Sequence, residues 1–178
     1  MAGRVFPHLN GVGVEQIDEV DGRVLIWAYV KAGHGVCPSC GTRSDRVHSG
    51  YDRKLADVSV AGRPLVLRLR VRRFFCDTRD CAAATFAEQV EGLTARHARR
   101  TTPCRQVLER IGLALAGRAG ARLAGVLGLT AGRSSLLRLV RALPDPPVES
   151  VPVLGVDDFA VRRGRRYGTV RKPEVRAN

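Results

Sequence analysis

"PLVLRLRVRRFFCDTRDC", residues 64–81, is the stretch whose reading decides the fold. From Pro64 to Phe75 apolar and basic residues alternate. Leu65, Leu67, Leu69 and Val71 share one face, and Val66, Arg68, Arg70 and Arg72 share the other. Side chains of a strand alternate between faces, so this period of two specifies a strand with one buried side. The strand runs directly into Cys76 and Cys81. An earlier pair, Cys37 and Cys40, lies in Cys37-Pro38-Ser39-Cys40-Gly41. Two such pairs on either side of strands fit a four-thiolate structural zinc site. The two-residue spacer lets the chain fold back so that both sulfurs face one ion, and Gly41 frees the turn. A closed tetrahedral shell holds zinc and leaves no open position for catalysis. Redox use of the C-x-x-C would explain one pair and not the other, and an iron–sulfur cluster is a further use of four thiolates. His34 and His48 lie close enough in sequence to replace a thiolate, but with four cysteines available each fits better as a turn or surface histidine. Cys104 stands alone and fits a small buried side chain.

Working outward, residues 12–31 read as a hairpin, with strand-like "VEQIDEV" and "RVLIWAYV" joined at Asp21-Gly22. Residues 33–50, rich in Gly, Ser and Cys, are expected to be looped. These pieces make a β-rich module ending near residue 90. The pattern then becomes helical. In "TTPCRQVLERIGLALAG" (101–117), Thr102 is the expected N-cap and Pro103 the first helical residue. Val107, Leu108, Ile111 and Leu115 form its apolar stripe, and Gly117 its stop. "RAGARLAGVLG" is a second short helix, and Gly128-Leu129-Thr130 a tight connection. "AGRSSLLRLVRAL" is a third helix, capped by Thr130, with Leu136, Leu137, Leu139, Val140 and Leu143 turned inward. "PDPPVES" (144–150) cannot continue a helix and is the expected linker. Beyond it, "VLGVDDFAVRRGRRYGTV" (153–170) has a strand carrying two carboxylates, a basic turn and a second strand. The expected fold class is α+β. A β-rich zinc-binding module spans 1–92, a three-helix domain 93–143, a linker 144–150, and a two-strand segment 151–178.

The 178 residues carry 30 Lys plus Arg against 17 Asp plus Glu, a net charge of +13. That excess favours a polyanionic partner through phosphate attraction and counterion release. A GC-rich genome would explain the preference for Arg over Lys, but not the charge. No apolar run approaches the length of a membrane span, and the N-terminus lacks the apolar core of a signal peptide, so no membrane partner and a cytoplasmic location are expected. Such a compartment is reducing, and the five cysteines are not expected to form a disulfide framework.

The second and third helices have helix-turn-helix dimensions, with a short turn containing Gly. In that motif the second helix enters the DNA major groove by its N-terminal half. Here that half offers Arg133, Ser134, Ser135 and Arg138, and Ser134, Arg138 and Arg141 share the face opposite the leucines. A plain helical hairpin with a solvated basic face has the same pattern. Arg68, Arg70 and Arg72 either contact phosphate or form a solvated face that shields the sheet.

The order "CPSCG", "HSGYDRKLADVSVAGRPLVLRLRVRRFFC", "TFAEQ" and "RHARRTT" resembles the zinc-binding N-terminus of bacterial insertion-sequence transposases of the ISL-three family. "GARLAGVLGLTAGRSSLLRLVR" follows in the same order as that family's helix-turn-helix, and "LGVDDFAVRRGRRYGTV" resembles the opening of its DDE catalytic domain. The resemblance spans about residues 30–170. It implies a ribonuclease H-like domain in which two Asp and one Glu hold two divalent metals, usually Mg2+, that activate the attacking oxygen and stabilise the leaving one. By motif position the first of these carboxylates is Asp157, with Asp158 the second choice because it points to the other sheet face. The same carboxylates could instead answer Arg162, Arg163 and Arg165. After Val170 the sequence departs from the family pattern with Arg171, Lys172 and Pro173, and no later Asp is present; Glu174 has nothing to support it as a ligand. The resemblance therefore implies a truncated transposase that binds double-stranded DNA at element terminal repeats and has no strand-transfer activity by itself. Its partners would include a second copy or a full-length transposase. The alternatives are a regulator of transposition or transcription, and an enzyme completed by frameshifting or in trans.

Overall fold

A computed structural model describes residues 7–145, 158–162 and 166–169. Strand β6 (Arg63–Phe75) is the axis of the fold and bears out the alternation: Leu65, Leu67, Leu69 and Val71 are buried, with Leu67 and Leu69 fully so. Strands β1 (Val12–Val20) and β2 (Arg23–Val30) form the expected antiparallel hairpin, with Asp21 and Gly22 both at positive φ in its turn. β2 lies parallel to β6, and β5 (Val47–Val60) lies antiparallel on its other side, giving the order β1-β2-β6-β5. β7 (Thr85–Ala87) pairs with the far end of β6. The core beneath the sheet joins Ile26, Ala28, Leu55 and the buried β6 residues to Leu9, in a 3-10 turn (Pro7–Leu9), and to Val90 and Leu93.

The 33–50 segment is more ordered than its composition suggests. β3 (Gly35–Val36) pairs with β4 (Arg43–Ser44), and β5 has begun by Val47. The first half of β5 is polar and largely exposed because it extends past the core; pairing with the long β6 makes it a strand.

Helix α1 (Thr102–Leu115) is capped one residue earlier than expected, by Thr101, whose side chain accepts a hydrogen bond from the Cys104 amide. Thr101 Oγ1 in turn donates to buried Asp57 at 2.5 Å, so the cap is tied to β5. The helix stops at Ala116, at φ 54°, rather than at Gly117. Leu108 and Ile111 are buried as expected, whereas Leu115 is exposed. α2 (Arg118–Val126) and α3 (Arg133–Arg141) follow, joined by residues 127–132, a longer connection than the expected turn. Gly132, not Thr130, occupies the α3 N-cap position. Leu136 is fully buried against Cys104, Leu108, Ile111, Ala124 and Leu129, and Val58 of β5 packs on the same cluster.

Residues 1–143 form one compact unit and 144–178 another. The helices belong to the same unit as the sheet, with α1 in contact with β5. In the second unit β8 (Asp158–Arg162) and β9 (Arg166–Thr169) pair as an antiparallel hairpin.

Candidate metal centre and nucleic-acid interface

Two knuckles bring the four cysteines together. In the first, Cys37 follows β3, and the Gly41 amide donates to the Cys37 carbonyl at 2.9 Å while the Cys37 amide donates to the Thr42 carbonyl at 2.9 Å. Gly41, at φ +74°, turns the chain back into β4. In the second, Cys76 follows β6 directly and its amide donates to the Ala84 carbonyl, while the Cys81 amide donates to the Thr78 carbonyl. The β6–β7 pairing brings this knuckle back alongside the first. Stacked Phe74 and Phe86, with ring centroids 5.9 Å apart, pack with buried Cys37 behind the cluster.

All four sulfurs lie within 4.8 Å of one another, with Cys37–Cys81 at 3.8 Å and Cys40–Cys76 at 3.5 Å. A tetrahedron with Zn–S bonds of about 2.3 Å has sulfur–sulfur edges of about 3.8 Å. The separations match that shell and are far too long for disulfide bonds. Neither His34 nor His48 belongs to the group. His48 instead meets the Phe75 ring edge-on at 4.9 Å and hydrogen-bonds Ser49.

The electrostatics agree with a cation-binding shell. Hydrogen bonds from Thr42 and Thr78 lower the Cys40 thiol to about 5. At Cys81 the Ala83 amide favours the thiolate, but burial and the neighbouring sulfurs outweigh it and push the thiol up to about 12. Sulfurs this close cannot all ionise without a compensating cation, which a zinc ion held by Cys37, Cys40, Cys76 and Cys81 would supply. Outside the sulfurs, Arg46 donates to Asp77 at 2.6 Å and holds its carboxyl below the usual range.

The basic stripe of β6 is largely occupied within the protein. Arg72 donates to buried Glu88 from its amide, Nε and guanidinium, at 2.6, 3.1 and 2.8 Å. Arg68 stacks 4.5 Å over Trp27, its register partner on β2. Arg70 is exposed, with a loose contact to Asp52 at 3.6 Å. On α3, Arg133, Ser134, Arg138 and Arg141 are exposed and Ser135 half-buried, opposite buried Leu136. Ser135 and Arg138 also line a cleft of about 730 Å³ with Ala56, Arg99, Arg100 and Thr130. The contribution of Arg99 and Arg100 was not singled out from sequence; its signal is the dense basic run Arg96–Arg100. Cys104 lies in the helical core, where burial pushes its thiol up to about 11. Asp157 and Glu174 lie outside the described residues; Asp158 opens β8 opposite Thr169. Among the described residues no helix is long and apolar enough to cross a membrane.

Residues 34–81, which include both knuckles, match the zinc-finger of transposase IS204/IS1001/IS1096/IS1165. The chain is also similar to the transposase for insertion sequence element IS1001 of Bordetella parapertussis, at 28% identity over 164 residues. That similarity covers 90% of the chain but 39% of the relative, so the chain spans well under half the length of the protein it matches. No solved structure matches. The four-cysteine centre thus lies inside the stretch matched to a transposase zinc-finger, and the chain around it is similar to an insertion-sequence transposase over 90% of its length.

Proposed function

We propose that residues 7–143 bind double-stranded DNA at the ends of an insertion element, with α3 in the major groove and structural zinc bracing the β-module. The observation that carries this reading is the two-sided α3. Leu136 anchors it in the core, while Arg133, Ser134, Arg138 and Arg141 face solvent. Arginine and serine can donate to base edges in the major groove, and arginine is well shaped for guanine. The net charge of +13 supplies the long-range attraction. Arg68 and Arg72 are assigned to holding the sheet together, and Arg70 is left as the stripe's one solvent-facing contact to phosphate. In the wider transposase, Asp157 would be the first carboxylate of a Mg2+-dependent DDE centre that breaks and joins DNA strands.

Selection of bound duplexes from a random pool, followed by salt titration, tests the reading. A recovered consensus whose preference is lost in Arg133→Ala and Ser134→Ala supports it. Binding with no sequence preference refutes recognition by α3.

A further inference from the structure

The cleft beside α3 is built from two distant parts of the chain. Residues 99–101 run beside β5: the Ala56 amide donates to the Arg99 carbonyl at 3.0 Å, and the Thr101 amide donates to the Ala56 carbonyl at 3.0 Å. Arg53 fastens the preceding loop by donating to the Ala95 and Ala98 carbonyls at 2.9 and 2.8 Å. This backbone is held as a short parallel bridge, so consecutive side chains diverge. Arg99 is exposed, whereas Arg100 turns inward and donates to the Thr130 carbonyl at 3.1 Å. Across the cleft stand Ser135 and Arg138 of α3. Among the described residues neither Arg99 nor Arg138 has an acidic partner. The nearest buried carboxylate, Asp57, is taken up by His8, Thr101 and the Val58 amide.

We propose that this cleft seats a backbone phosphate of the duplex whose bases α3 reads. The inference rests on the DNA-binding reading above and adds a second anchoring point outside the helix. Phosphate suits the site because its three guanidinium groups and two hydroxyls can all donate hydrogen bonds and the lining offers no negative charge. Contact there would set how far α3 enters the groove and would carry no sequence information, since phosphate contacts position and base contacts specify.

The test uses the whole chain and a random-sequence duplex, with the salt dependence of affinity as readout. Arg99→Gln removes one exposed cation that holds no part of the fold, and Thr130→Glu places a carboxylate in the cleft. Losing one phosphate contact should make the slope of log affinity against log salt shallower by about 0.9, or about fivefold weaker binding near 0.15 M salt. The loss should be equal on all sequences, and Thr130→Glu should weaken binding further, with melting temperatures unchanged. Unchanged slope and affinity in both variants, while Arg133→Ala still alters sequence preference, would overturn the cleft and leave the α3 reading standing. Wild-type protein that shows no salt-dependent binding would overturn both.

Discussion

Gly128 is where the helical layer meets the turn between β5 and β6, and replacing it by alanine measures that contact. At φ +73° the added Cβ would run into the Gly62 carbonyl oxygen and lie 2.7 Å from its carbon. Neither is the free end of a flexible side chain, so two backbones must separate. Ser59 Oγ donates to the Leu127 carbonyl beside this contact and would be pulled away. An alanine held in the left-handed region costs about 1–2 kcal/mol. The displaced hydrogen bond adds about 1 kcal/mol. With the packing disturbed as the backbones part, Gly128→Ala should destabilise the protein by about 3 kcal/mol, a drop of roughly 6–12 °C in Tm. Gly22→Ala is the control: Gly22 has φ +70° and nothing within 4 Å of the added Cβ, so it isolates the conformational cost of about 1–2 kcal/mol. Urea denaturation of the two variants gives the difference directly. If Gly128→Ala loses no more than Gly22→Ala, the helices do not sit against the sheet as described.

Other consequences follow from the same structure. Purified protein should carry one zinc per chain by metal analysis, and Cys37→Ser or chelation should remove it and lower the Tm by more than Gly128→Ala does; a zinc-free chain that melts normally would refute a structural role. Leu136→Ala empties a fully buried position and should cost about 2–5 kcal/mol by urea denaturation. Its DNA affinity should fall with the helical circular-dichroism signal, because the same side chain anchors α3. Arg72→Ala leaves the Glu88 carboxylate, 2% exposed, without its counter-charge and with the residue-72 amide as its remaining donor, and should cost about 3–5 kcal/mol, whereas Arg70→Gln should change stability by under about 0.5 kcal/mol. Equal effects of the two arginine substitutions on folding would refute the division of the β6 stripe.

The sequence by itself determined what depends on neighbouring residues and their spacing. The alternation from Leu65 to Val71, the Asp21-Gly22 turn, the two cysteine pairs and the Leu136 face of α3 were all legible because period and turn chemistry are local. Tertiary structure decided the rest. The polar beginning of β5 is a strand because β6 extends alongside it, and no local pattern could announce that. Thr101 rather than Thr102 caps α1, where its hydroxyl also meets Asp57 across a long separation in sequence. The three arginines of β6 look alike in sequence, yet a buried Glu88 claims Arg72, Trp27 lies under Arg68, and Arg70 alone faces mainly solvent. Arg99 and Arg138 share a cleft only because Ala56 holds the 99–101 segment beside β5 and Leu136 sets α3 against α1. A charge's neighbours, and therefore its role, are fixed by which distant segments the core brings together.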